Sequence, residues 1–217
     1  MMNEHHTEAS RALDRNVLER TAAHLYERYA HVVDRDTVNR IVQESYDELD
    51  RTAAVKTYLT ASAGNFADHR LRSIAIAKGA IESPHPRVLF VDDANAGRSQ
   101  MAASLVLKHS EGRVAARSAG LEPAGRLYDA AVQAMEEVDV SLTHAYPKPL
   151  SHDIHAAAQM VVTFGCADRV EPLEGTEYRD WDIPSLEGKP LDEVRRVRDD
   201  LDARVRELIR ELDSREA

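Results

Sequence analysis

Residues 87–102 read RVLFVDDANAGRSQMA, and no other stretch restricts the fold as much. Four apolar residues run into a loop of small and polar ones, which runs through GRS into a segment of helical pattern. A strand that ends in such a loop and continues as a helix is the building unit of an α/β sheet. Ligands on these sheets sit at the carboxyl ends of the strands, where this loop lies. The alternation continues downstream. Strands are expected near Arg87–Val91, Val114–Ser118, Met160–Phe164 and Tyr178–Asp182. Helices are expected near Ser99–His109, Leu127–Val138 and Ser151–Ala158. A last helix carries Leu191, Val194, Leu201, Val205, Leu208 and Leu212 on one face. The expected fold is a four-stranded parallel doubly wound sheet.

The first 83 residues follow a different rule. Leu18, Ala22, Leu25, Tyr29 and Val32 recur at the spacing of an amphipathic helix. Asp34 or Asp36 is placed to cap a second helix with Val38, Ile41, Val42, Ser45 and Leu49 inward. Ala63, Ala67, Leu71 and Ile74 form a weaker third stripe. The expectation is an all-α three-helix bundle over 1–83, marginal alone, whose apolar face also meets the α/β part or another subunit. SPHP, with two prolines in four residues, separates it from a second domain over 84–217.

A formal net charge of −10 argues against non-specific nucleic-acid binding, which needs a basic face. No apolar run approaches the roughly 20 residues of a membrane span, and MMNEHHTEAS lacks a signal-peptide core. A cytoplasmic protein is expected. The single cysteine, Cys166, permits no internal disulfide or cysteine-rich zinc site. His152 and His155, three apart, have no evident third ligand, so neither metal nor cofactor is expected.

The loop reads as an oxyanion cradle comprising Asp93, Ala94, Asn95, Ala96, Gly97, Arg98 and Ser99. Asn95, Ala96 and Gly97 let the backbone curl and gather its N–H groups on one point. A helix starting near Ser99 adds the positive end of its dipole. Arg98 offers a planar fork to two oxygens of a phosphate-like anion. Against this stands Asp92, a carboxylate where the anion should arrive.

VLFVDDANAGRSQMAASL resembles the active-site loop of low-molecular-weight tyrosine phosphatases and the arsenate reductases related to them. RSAG at 117–120, PKPL at 147–150, VVTFGCAD at 161–168 and YRDWDIP at 178–184 continue the resemblance over residues 87–212. The front half is similar to a three-helix bundle that some bacterial members of the arsenate-reductase branch carry. The resemblance implies a cysteine nucleophile at the first loop position, occupied here by Asp92. It implies an Asp-Pro general acid where this chain has Ser185-Leu186, with Asp182 three residues earlier as a possible substitute. Cys166 matches one relay cysteine of the arsenate reductases, and the site of a second is Val170. Cys166 and Asp182 are placed near the site mouth, although Cys166 alone reads as a small buried residue.

The expectation is therefore a catalytically degenerate homologue, acting by binding an oxyanion or phosphorylated ligand or as a partner subunit, and a homodimer through its helices. Asp92 is expected to fill the cradle as a built-in anion, kept ionised by the same N–H groups. A phosphate dianion about 4 Å away would meet a repulsion of about 8 kcal/mol at an effective dielectric near 20. The alternatives are residual phosphatase or arsenate reductase activity, or a phosphohydrolase using Asp92 as nucleophile, which would need Mg²⁺. A Mg²⁺-dependent receiver-like phosphoacceptor is a further alternative, with Lys148-Pro149 in its favour. Its candidate Asp139 lies in a helix-end pattern.

Overall fold

The computed structural model describes residues 8–216, and the amino-terminal stretch considered for a signal lies mostly outside them. Three helices come first: α1 (Glu8–Tyr29), α2 (Arg35–Thr52) and α3 (Leu59–Ala77). β1 (Arg87–Asp92), α4 (Arg98–Ser110), β2 (Ala115–Gly120), α5 (Asp129–Glu136) and α6 (His152–Ala156) follow. β3 (Met160–Thr163), a single 3-10 turn at Ala167–Arg169, β4 (Glu177–Asp180) and α7 (Leu191–Glu216) complete the chain. The four strands lie in the order β2-β1-β3-β4, and every pairing is parallel. The expected α/β architecture, with three helices ahead of it, is the one observed.

The apolar spacings do the work expected of them. Leu18, Ala22, Leu25 and Tyr29 of α1 and Val38, Ile41, Val42, Ser45 and Leu49 of α2 are buried. Asp34 supplies the cap of α2, its carboxylate accepting from the Thr37 N–H at 2.7 Å, which satisfies one orphan donor of the first turn. On α3 the buried stripe is broader than Ala63, Ala67 and Leu71 alone, since Phe66, Arg70, Ser73 and Ala75 join it. Arg70 is charged and buried because it is paired: Nε donates to Asp153 of α6 and Nη2 to Glu44 of α2, each at 2.9 Å. This network ties the bundle to the sheet's own helix.

Strand bounds move by at most two residues from expectation. β2 runs on to Gly120, while β4 stops at Asp180, leaving Trp181 and Ile183 to turn inward as core residues. Trp181 packs against Phe90 and Phe164, with ring centroids 5.8 and 6.0 Å away.

Two apolar layers enclose the sheet. On one face, α4, α5 and α7 meet Val88, Phe90, Met160 and Val162. On the other, Leu89, Val91, Ala119 and Val161 share a core with the buried faces of α1, α2 and α3. The helix that the α/β part sets on that second face is the five-residue α6, joined by loop residues such as Cys166 and Val170. The bundle therefore completes the sandwich.

The last residue of β2 sets the approach of the loop to its neighbour strand. A Cβ at Gly120 would lie 2.8 Å from the Asp93 carbonyl oxygen and 2.9 Å from the Asn95 nitrogen. Both are backbone atoms that cannot swing aside. Gly120→Ala is expected to cost about 2–3 kcal/mol by overpacking, lowering Tm by about 5–10 °C in calorimetry. An unchanged Tm would show that the loop yields freely.

Candidate functional site

The loop between β1 and α4 and the turn that follows it bury several polar side chains. Asp92, Asn95, Arg98, Ser99 and Gln100 are all buried, and Asn95 and Ser99 are fully so. Such burial requires each polar group to be met, and the partners define the geometry. Asp92 ends β1 with its carboxylate turned into the loop. Oδ1 accepts from the Asn95 N–H at 2.6 Å, and Oδ2 accepts from the Ser99 N–H, in the first turn of α4, at 3.1 Å. The Arg98 guanidinium stands 4.0 Å from Oδ2. Two backbone donors and a helix start thus converge on a side chain of the protein itself.

Asn95 holds the curl. Its φ of 47° is left-handed, a conformation asparagine tolerates better than most residues. Its Oδ1 accepts from the Lys148 N–H at 3.0 Å and from Gln100 Nε2 at 2.9 Å, while its Nδ2 donates to Ser99 Oγ at 3.0 Å. The Lys148 carbonyl accepts from the Gly120 N–H at 2.9 Å, so the PKPL segment is stitched to both loop and sheet. Gly97 admits close neighbours: a Cβ there would lie 3.0 Å from Leu186 Cδ1 and 3.1 Å from Tyr128 Cδ2.

Arg98 is partly engaged within the chain. Its Nη1 donates to the Ile183 carbonyl at 2.7 Å, and its guanidinium lies 5.6 Å from the Phe164 ring centroid. The segment after β4 thereby closes over the loop, with Leu186 buried. Neither Ile183 nor Lys148 was expected in this network. Both act through backbone atoms, which carry no signature in the sequence.

Asp92 differs from expectation in one respect. The N–H donors and Arg98 do favour its ionised form, yet desolvation outweighs them and the net shift of its pKa is upward. The cradle is drier than its hydrogen bonds alone suggest.

The remaining candidates are placed as follows. Asp93 points away, half exposed and paired with Arg169. Ala94 and Ala96 contribute backbone, their carbonyls accepting from Ala124 and Tyr128 N–H groups. Cys166 is wholly buried, its thiol donating to the Val91 carbonyl at 3.5 Å, and burial pushes its pKa up. That is the environment of an inert thiol. Ser185 is exposed, its Oγ accepting from the Glu187 N–H at 3.3 Å, and Asp182 is exposed beyond the end of β4. His155 is not poised for a metal: its Nε2 shares a hydrogen bond with the Tyr178 hydroxyl at 2.7 Å. Asp139 sits in a turn after α5 at φ 56°, not at a strand end, which removes the geometry a receiver needs.

Residues 87–217 match the family of low molecular weight phosphotyrosine protein phosphatases, and residues 18–75 match the protein-tyrosine-phosphatase-like N-terminal domain. The chain belongs to the low molecular weight phosphatase family. Within it the arsenate reductases are near. The thioredoxin-dependent arsenate reductase of Corynebacterium glutamicum is 37% identical, covering 91% of this chain and 97% of that one, with a TM-score of 0.83. An arsenate reductase of Brevibacillus brevis is 32% identical over 122 residues, which are 55% of this chain and 90% of the relative. A structure described as an arsenate reductase in the phosphate binding state is 28% identical over 58% of this chain and 98% of that one, at a TM-score of 0.51. The match to the Corynebacterium enzyme covers enough of this chain to extend over the helical front half, whereas the other two match little more than the α/β part.

Proposed function

We propose that this chain is a catalytically degenerate member of the arsenate-reductase branch, retaining the oxyanion loop as a scaffold with Asp92 standing where the nucleophilic cysteine belongs. The observation that carries the reading is the Asp92 carboxylate accepting from the Asn95 and Ser99 N–H groups, at 2.6 and 3.1 Å. Donors that would lower a thiolate's pKa and receive an oxyanion instead hold a fixed carboxylate. Ser185 stands where the general acid belongs, and a serine hydroxyl is far too weak an acid to protonate a leaving oxygen at neutral pH. Buried Cys166, the only cysteine in the chain, has no partner for an internal relay.

In this reading the protein works by binding, as a partner subunit or, where an oxyanion or phosphorylated group displaces the Asp92 carboxylate from the loop, as its receptor. It forms a homodimer through the 1–83 helices, where Leu13, Val17, Val55 and Tyr58 are exposed, and it resides in the cytoplasm. No described helix is long and apolar enough to cross a membrane.

The test is enzymatic. The purified chain is expected to turn over neither arsenate, with a thiol reductant, nor an aryl phosphate. Asp92→Cys is expected to acquire a reactive thiolate, seen as alkylation at neutral pH, while turnover stays low with Ser185 unchanged. Turnover by the natural chain that Asp92→Ala abolishes would end the degenerate reading.

A further inference from the structure

A second set of cations lies at the other end of the sheet, and the loop does not use it. Arg72 of α3, Arg87 of β1 and Arg117 of β2 line one cavity of about 90 Å³ with Ser73, Val88 and Leu89. The cavity is rimmed by the exposed linker residues Pro84 and His85. Arg87 is satisfied, its Nε donating to the Ala157 carbonyl at 2.6 Å. Among the described residues, Arg72 and Arg117 make no hydrogen bond or ion pair. Burial, followed by the neighbouring Arg72, lowers the pKa of Arg117. Asp68 is the carboxylate that favours its charge, and that side chain is already engaged, its Oδ1 accepting from Arg28 and the Tyr29 hydroxyl.

Two polar atoms near these arginines have no protein partner, although neither residue lines the cavity. His69, one helical turn before Arg72, has a buried Nδ1 with no partner, and the Tyr146 hydroxyl is likewise buried and unpartnered. His69 is held neutral, pushed down to about 3 by burial and by Arg117, Lys148 and Arg72. Polar atoms and guanidinium groups taken partly out of water are costly unless something meets them. A space of 90 Å³ exceeds the roughly 10–15 Å³ that one water needs, so it admits a compact group with several acceptor oxygens.

We propose that this cavity is a second oxyanion site, taking a free tetrahedral dianion such as phosphate or arsenate between Arg72 and Arg117. A planar guanidinium is suited to two oxygens of such an ion. The ion would sit between α3 and the start of the sheet, about 10 Å along β1 from the loop, and would fasten the bundle to the α/β part. The site does not depend on the state of Asp92, so it stands or falls apart from the reading of the loop.

Calorimetric titration of the full chain with inorganic phosphate at constant ionic strength tests it. The natural chain is expected to bind one phosphate. Arg72→Gln, at a half-buried position, is expected to weaken binding at least tenfold. Arg72→Lys keeps the charge without the fork and serves if the glutamine variant folds poorly, with a loss of about threefold or more expected. Glycerol 3-phosphate is expected to bind at least tenfold more weakly than phosphate, because ester carbons have no room. In crystals soaked with arsenate, an anomalous arsenic peak is expected between Arg72 and Arg117. Absence of phosphate binding, equal affinity in the Arg72 variant, equal affinity for the ester, or arsenic found only elsewhere overturns the assignment.

Discussion

Asp92→Ala is expected to convert the loop from a self-filled cradle into a phosphate-binding one, with an affinity gain of at least about 100-fold, equivalent to about 2.7 kcal/mol. The donors on Asn95 and Ser99 stay in place and the carboxylate leaves. The unscreened repulsion removed is about 8 kcal/mol for a dianion at 4 Å and an effective dielectric of 20, so a gain of this size survives substantial screening. Titration with phosphate in the Arg72→Gln background isolates the loop from the cavity behind α3. No gain would mean that Asp92 is not what occupies the cradle.

The same substitution has a signature in pH. Burial raises the folded-state pKa of Asp92 above its unfolded value. Between those two values the folded chain binds the extra proton, so this group's contribution to stability falls as pH rises through the window. At higher pH the cost of a buried charge is fully present, and at lower pH it is absent. The Asp92→Ala variant loses that slope. The stability difference between the natural chain and the variant is therefore expected to shift in favour of the natural chain on acidification, as read by denaturant titrations at several pH values.

Asn95→Ala is expected to be the more damaging change to the fold, at about 3–5 kcal/mol and a Tm loss of about 10–15 °C. It strands the buried Lys148 N–H and removes the brace to Gln100 and Ser99. It also places alanine at a φ of 47°, which costs about 1–2 kcal/mol more than an unstrained site. Asn95→Gly separates the two contributions, because glycine accepts the backbone but not the brace. If glycine restored full stability, the side-chain network would be idle.

These contrasts show what the sequence makes legible. Leu18 to Tyr29 and Leu191 to Leu212 announce their helices because burial recurs at a fixed period within one element. The loop from Asp92 to Ser99 is equally plain, since its parts are contiguous. The bonds that finish the site are long-range and made by backbone atoms: Arg98 to the Ile183 carbonyl, and Lys148 N–H to Asn95. Any residue type supplies a carbonyl, so nothing within YRDWDIP singles out position 183 as the partner of Arg98. His69, Arg72 and Arg117 were hidden for the opposite reason. Charged residues on a helix and a strand read as solvated until the tertiary fold buries them together. The net upward shift at Asp92 likewise needed the surrounding shell, which spacing does not reveal.

The way the bundle covers the sheet has a consequence for how the chain comes apart. Leu89, Val91 and Val161 find most of their apolar company in helices that precede them by tens of residues. Neither half possesses a finished interior, so neither is equipped to outlast the other. Heating should show one melting event, and a fragment starting near the linker should be sticky and poorly soluble, its naked strand faces seeking whatever greasy surface is at hand.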